Sequence, residues 1–228
     1  MIISHKYKFI FIKTAKTAGT SIEIFLSQHC GENDIVTPIF PHIEPHVARN
    51  YSGIWNPSKE IIYKRGRGVW STIEQLLKRN KFHNHIPAWL VKCRIPDKMW
   101  KNYFKFCVER NPWDKTLSHY HMLNDRAGGN MSFEEYIERG NFCLNYSKYT
   151  DSKNNILVDK IIKYESLAEE LHQVFNNLGI PFDGTLGVRA KSEHRKDRTP
   201  YQDVLTSKQR TLIIKAFAKE IELHGFRY

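Results

Sequence analysis

The segment Lys13-Thr14-Ala15-Lys16-Thr17-Ala18-Gly19-Thr20-Ser21 carries the clearest chemistry in the sequence. An apolar run, Phe9-Ile10-Phe11-Ile12, precedes it, and a stretch with helical patterning follows. A loop between a buried strand and a helix presents the first-turn N–H groups outward, where the helix dipole favours an anion. Ala18 and Gly19 let that anion approach the backbone closely. Thr20 and Ser21 add hydroxyl donors, and Lys16 adds a positive charge. The chemistry implied is phosphate binding. The pattern is not a Walker A loop, G-x-x-x-x-G-K-[ST], because Lys16 stands before Gly19 and the earlier glycine is absent.

A second cation follows a second apolar run. Phe104 to Glu109 reads as a core strand and leads directly into Arg110. In open α/β sheets ligands bind at the carboxyl ends of the strands, and an arginine there can pair with a phosphate through two N–H groups. No strand ends in an aspartate suited to magnesium, so no metal is expected. Proton transfer near neutral pH calls for a histidine. The chain offers His42, His46, His83, His85, His119, His121, His172 and His194 among others. His119 and His121 are assigned to the helix that carries Ser118.

The elements that must position these residues follow from patterning. Tyr7 to Lys13 predicts a strand buried on both faces, and Thr20 to His29 a helix. Asp34 to Ile39 predicts a second strand, stopped by Pro38 and Pro41. Residues 40–70, rich in Pro, Gly, His, Trp and Arg, predict a long surface excursion. Ser71 with Glu74 predicts a capping box opening a helix through about Arg79. A short helix is expected over Ile86 to Cys93. Asn111-Pro112 predicts an N-cap and first-turn proline for a helix to about Asn124. Ser132 caps a further helix. Ile156 to Tyr164 predicts a third buried strand. Ser166 with Glu169 predicts a cap for a helix ending at Gly179, and Thr206 with Gln209 one for a helix to about Leu223. Alternating strands and helices predict an α/β fold of one domain over residues 1–228, a parallel sheet covered on both faces.

The bulk composition is that of a globular protein. The 228 residues are 41% hydrophobic, with 35 Lys and Arg against 24 Asp and Glu, a net charge of +11. That balance favours anionic partners without choosing among them. Lys64-Arg65-Arg67 and Lys191-Arg195-Lys196-Arg198 are modest basic clusters. Most of the five tryptophans are expected in the core. The cysteines form no C-x-x-C and are expected reduced, in a cytoplasmic protein. No apolar run approaches the roughly 18 residues of a membrane span, and neither a membrane nor a nucleic-acid partner is expected.

Taken together, Lys16 to Ser21 and Arg110-Asn111-Pro112-Trp113-Asp114-Lys115-Thr116-Leu117-Ser118 resemble the sulfotransferases that use 3'-phosphoadenosine 5'-phosphosulfate (PAPS). The likeness is to the carbohydrate branch and its small bacterial members, and it extends along most of the chain. The resemblance implies a P-loop-like three-layer fold with a central sheet flanked by helices. It implies that Lys16, Thr17, Ala18, Gly19, Thr20 and Ser21 hold the 5'-phosphosulfate and Lys16 stabilises the leaving phosphate. Arg110 and Ser118 would hold the 3'-phosphate. Asn84-His85-Ile86-Pro87-Ala88 resembles the family's K-H-x-x-A element, with Asn84 in place of lysine, and so makes His85 the catalytic base; His46 and His42 are the alternatives. Lys191 to Tyr201 resembles a basic loop that approaches the donor, with Arg195 the preferred contact. The implied partners are PAPS, released as 3',5'-ADP (PAP), and an acceptor hydroxyl on a carbohydrate. The segment of about 40–95 is expected to shape the acceptor side.

Two other readings stay open on the residues alone. One is a P-loop-type kinase using ATP and magnesium, against which the displaced lysine counts. The other is a non-catalytic basic protein that binds nucleic acid or an anionic glycan.

Overall fold

The structure, a computed structural model, describes residues 1–188 and 199–228. Its centre is a five-stranded sheet in the order β3-β1-β2-β4-β5. The strands are β1 (Ile2–Ser4), β2 (Phe9–Phe11), β3 (Ile35–Val36), β4 (Phe104–Glu109) and β5 (Lys160–Lys163). β2, β4 and β5 run parallel, with Phe11 opposite Phe106 and Glu109 opposite Lys163. β1 pairs antiparallel with both β2 and β3. The expected parallel sheet is therefore its β2-β4-β5 half, extended by an antiparallel edge. The chain reverses between Ser4 and Phe9, so β1, which patterning did not predict, forms a hairpin with β2, and β2 covers Phe9–Phe11 of the expected Tyr7 to Lys13 strand. The third strand is shorter than expected: Lys160–Lys163 rather than Ile156 to Tyr164.

Alternation along the strands divides the core. Phe9, Phe11, Phe106 and Val108 face one layer, where α1 (Gly19–His29) contributes Ile22 and Leu26. Ile10, Ile12 and Cys107 face the other, against Phe82, Ile86, Leu90 and Trp100. This period of two, with both faces apolar, requires helices on both sides. On the second side lie α2 (Ser58–Tyr63), α3 (Val69–Leu77), α4 (Ala88–Arg94) and α5 (Asp97–Asn102). α6 (Pro112–Arg126) follows β4, then α7 (Phe133–Arg139) and α8 (Tyr146–Tyr149). α9 (Leu167–Leu178) packs on the first layer through Leu171, Val174 and Phe175. α10 (Tyr201–Val204), α11 (Ser207–Ala216) and α12 (Ala218–His224) close the described chain. A third apolar cluster joins Trp113 and Leu117 of α6 to Tyr136, Ile213 and Phe217, and fixes how α6 lies.

The caps show where local sequence was sufficient. The Asn111 side chain accepts from Trp113 N–H at 3.1 Å, with Pro112 in the first turn. Ser132 and Thr206 form capping boxes with Glu135 and Gln209. Three expectations need correction. α3 starts at Val69, two residues before Ser71, because Gly68 takes a left-handed φ of 66° that launches the helix earlier. No side chain caps α9, since the Ser166 hydroxyl donates to Glu170 at 3.1 Å instead of serving the backbone. The last helix is two, broken at Phe217, whose ring is buried in the third cluster.

Candidate active site

The carboxyl ends of the parallel strands open on one cleft of about 1440 Å³. β2 leads into the loop 12–18, β4 into Arg110 and β5 into Tyr164, and all three line it. Lys16, Thr17, Ala18, Gly19, Thr20, Ser21, His85, Arg110 and Ser118 all face this cleft. Arg195 lies outside the described residues. His42 and His46 do not line the cleft among the described residues: His46 is fully buried, and its carbonyl lies 2.9 Å from His42 Nε2.

The loop is built from beneath. Thr14 Oγ1 is 2.8 Å from Thr17 Oγ1 and donates to the Val108 carbonyl of β4. Thr17 is thus turned inward and offers the cleft only its backbone. The Lys13 ammonium is buried on Glu23 at 2.6 Å, and the Met1 amino group first and Lys13 second hold the Glu23 carboxyl down at about 2 despite its burial. Lys13 therefore serves α1, whereas Lys16 belongs to the cleft. At Gly19 any Cβ would meet Lys13 Cγ at 2.9 Å and the Thr14 carbonyl at 3.0 Å, so the close turn requires glycine. Among the described residues no side chain caps α1, and Gly19, Thr20 and Ser21 of its first turn line the cleft, an arrangement suited to an anion.

Three cleft residues hold left-handed backbone without being glycine: Lys16 at φ 63°, Ala18 at 57° and His85 at 56°. Such conformations cost free energy and persist where surrounding contacts enforce them. At His85 those contacts are visible. Its Nδ1 lies 3.1 Å from the Lys13 carbonyl, and its own carbonyl accepts from Lys148 at 2.9 Å. A carbonyl can only accept, so Nδ1 carries the hydrogen and Nε2 keeps its lone pair. Burial, then the Lys13 charge, lowers the imidazole to about 4. His85 is a neutral imidazole with a fixed tautomer.

Arg110 is locked on every side. Its Nε and a terminal nitrogen hold Asp114 Oδ2 at 2.8 and 2.6 Å, the other terminal nitrogen donates to the Lys16 carbonyl at 3.1 Å, and Tyr164 stacks 4.2 Å away. The bond to Lys16 ties the two cationic elements directly. Asp114, Ser118, Met122 and Arg126 recur every fourth residue along α6 and all face the cleft. Ser118 therefore lines the same cleft as Arg110.

Some residues emerge only in three dimensions. His119 lines the cleft, contrary to its assignment to the helix alone, and burial followed by the charges of Lys16 and Arg126 lowers it to about 4. Its Nδ1 lies 3.0 Å from the Tyr136 hydroxyl. Asn145 is fully buried: its Oδ1 accepts from Ala15 N–H at 2.9 Å, and its Nδ2 donates to the Ala15 carbonyl at 3.0 Å and to Glu109 at 3.2 Å. Glu109 in turn binds Lys115 at 2.6 Å and Arg110 N–H at 2.9 Å. Asn145 is 130 residues from Ala15, so no local signal could have found it.

An α/β sheet whose parallel strands end at one cleft, lined by a small-residue loop before a helix, an arginine just after the neighbouring strand and a neutral histidine, has the groups that group transfer from a phosphorylated substrate would use. The chain belongs to the sulfotransferase family, whose model it matches over residues 1–227. Membership implies an enzyme with a sulfonate-bearing donor and a hydroxyl acceptor. The chain is also 34% identical over 118 residues to an uncharacterized protein of Archaeoglobus fulgidus, covering 49% of this chain and 98% of that one. Among solved structures it is similar to the sulfotransferase from Alicyclobacillus acidocaldarius, at 16% identity and a TM-score of 0.43 over 97% of this chain and 96% of that chain.

Proposed function

We propose that the protein transfers a sulfuryl group from PAPS to a hydroxyl of a carbohydrate acceptor. The observation that carries this reading is the meeting of the 13–21 loop, Arg110, Ser118 and His85 in one cleft. A nucleotide bearing both a 5'-phosphosulfate and a 3'-phosphate needs two separated anion sites, and the loop and the Arg110–Ser118 pair supply them. The tight turn at Gly19 and the first turn of α1, which lines the cleft, fit a phosphate in the first site. Arg110 and Ser118 would hold the 3'-phosphate.

Lys16 and the amides of α1 stabilise negative charge on the phosphate side of the breaking bond, as preorganised donors do. His85 Nε2 takes the acceptor's proton, its ring held by the Lys13 carbonyl. A neutral base is the form required for that step, and the lowered affinity of His85 for protons keeps it neutral throughout the physiological range. The segment 40–95 contributes Phe40, Asn84 and His85 to the cleft wall, which supports its role on the acceptor side. Phe40, 73% exposed, offers an apolar face on which a sugar ring could stack. The four unpaired cysteines suit a reducing compartment such as the cytoplasm.

Calorimetric titration with PAP beside 5'-ADP, with and without magnesium, tests the donor. Metal-independent preference for PAP is expected. Equal binding, or preference for ADP with magnesium, would remove the 3'-phosphate role of Arg110 and Ser118 and put the kinase reading first.

A further inference from the structure

α3 is amphipathic in the reverse sense. Its inner face is polar: Thr72 is fully buried with its hydroxyl 2.8 Å from Glu60, and Gln75 accepts from Arg94 at 2.6 Å. Its outer face carries Trp70 and Leu77, 83% and 79% exposed. Seven residues apart, they project within about 20° of each other around the helix axis, with partly buried Ile73 between them. Trp55, Trp100 and Trp113 are buried, so Trp70 departs from the placement expected of tryptophan here.

The surroundings of this stripe are cationic. The turn before α3 places Arg65 and Arg67 in solvent, and Arg79 stands exposed just after it. Lys64 is turned inward on Glu60 and Thr72, at 2.6 and 2.8 Å. The acid on the outer side of α3, Glu74, is neutralised by Lys78 at 2.5 Å. What remains is an apolar stripe flanked by Arg65, Arg67 and Arg79, none of them ion-paired among the described residues.

We propose that α3 and its flanking turn dock the protein on an anionic membrane surface, with Trp70 and Leu77 entering the interfacial region and Arg65, Arg67 and Arg79 meeting lipid phosphates. Tryptophan suits that depth because its ring is apolar and its N–H stays hydrated. Charge complementarity selects this occupant. A second copy would bring its own net charge of +11 against the same arginines. Trp70 and Leu77 also offer on the order of 300 Å², short of the roughly 800 Å² each partner of a stable interface contributes. No described helix is long and apolar enough to cross a membrane, but an interfacial helix needs only an apolar stripe and basic flanks. The proposal stands apart from the sulfotransfer reading.

Co-sedimentation with phosphatidylcholine vesicles, with and without about 30% phosphatidylglycerol, tests it. The protein is expected to bind the anionic vesicles at least tenfold more tightly. Trp70→Ser with Leu77→Ser should weaken that binding roughly tenfold. Arg65→Gln with Arg67→Gln should weaken it roughly 10- to 30-fold, from about 1 kcal/mol per basic residue near the surface. Both variants change exposed side chains, and unchanged thermal midpoints and PAP titrations will separate docking from folding and donor binding. The idea fails if the wild type ignores anionic vesicles, or if the Trp70→Ser, Leu77→Ser variant binds them undiminished. It also fails if sedimentation velocity shows a dimer that this variant dissolves, or if Trp70 governs binding to an anionic polysaccharide but not to vesicles.

Discussion

Lys16 and Arg110 are both cations of the cleft, and the proposed function gives them different duties. Arg110 is fixed by Asp114, the Lys16 carbonyl and Tyr164, which suits a rigid fork that recognises a stationary phosphate. Lys16 lies in the loop before α1, where charge would develop during transfer. Arg110→Ala should raise the dissociation constant of PAP roughly 10- to 100-fold, the scale of a charged hydrogen bond. Lys16→Ala should lower kcat roughly 100- to 1,000-fold with a smaller effect on PAP binding. Titration of both variants and steady-state kinetics would separate the roles, and the opposite split would exchange them. For His85, kcat/KM should keep its acid limb near pH 4, since the free enzyme's imidazole is lowered to about 4. His85→Ala should abolish transfer and leave PAP affinity intact. Persistent activity in that variant would pass the base role to another residue, with His119 next in position.

Asn145 acts between elements. It closes on both polar groups of Ala15 as a neighbouring strand would, and its third bond reaches Glu109 at the end of β4. One buried amide thus holds the anion loop in register with the strand that delivers Arg110. Asn145→Ala leaves two backbone groups and part of a buried carboxylate without partners. That should cost about 3 kcal/mol, or roughly 6–12 °C in thermal midpoint for a chain of this size. It should also weaken PAP binding even at temperatures where the variant is fully folded. A purely structural role would lower the midpoint alone. At this scale the sequence was legible where signals are local. β4 was read at its true bounds, and the Asn111, Ser132 and Thr206 caps form as expected. It misled where a local signal competed with packing, as at Ser71 and Ser166, whose capping patterns yield to Gly68 and to Glu170.

Acid should destabilise the whole molecule in two windows. Burial, as the first cause, lowers His29, His46, His83, His85, His119 and His224. His85 and His119 fall to about 4. The unfolded chain protonates its histidines near pH 6.5, so between about 6.5 and 4 it binds protons that the folded protein does not. Stability from this source is complete above about pH 6.5 and is lost as the pH falls towards 4. Glu23, held at about 2 by the partners that outweigh its burial, adds a further loss as the pH falls from about 4.5 towards 2. Thermal melts at pH 7.5 and pH 5 should show a lower midpoint at the acid value. Equal midpoints would mean that these histidines are not neutral in the folded state.

The sequence by itself determined the α/β class, the strand–loop–helix that receives an anion, and the candidates Lys16, Arg110, Ser118 and His85. Lys16 and Arg110 rest on short-range patterns, a small-residue turn beside a lysine and an apolar run that ends in an arginine, whereas Ser118 and His85 rest on the resemblance to the sulfotransferases. Tertiary structure alone decided that these residues share one cleft, because convergence depends on the packing of α6 and on β2 lying beside β4. It alone found Asn145 and His119, which act through neighbours far away in the chain or through the face a helix turns inward. It also decided that Thr17 points down and that Trp70 points out. Side-chain direction is set by what packs against an element, and a pattern within that element specifies which faces differ but not which one is buried.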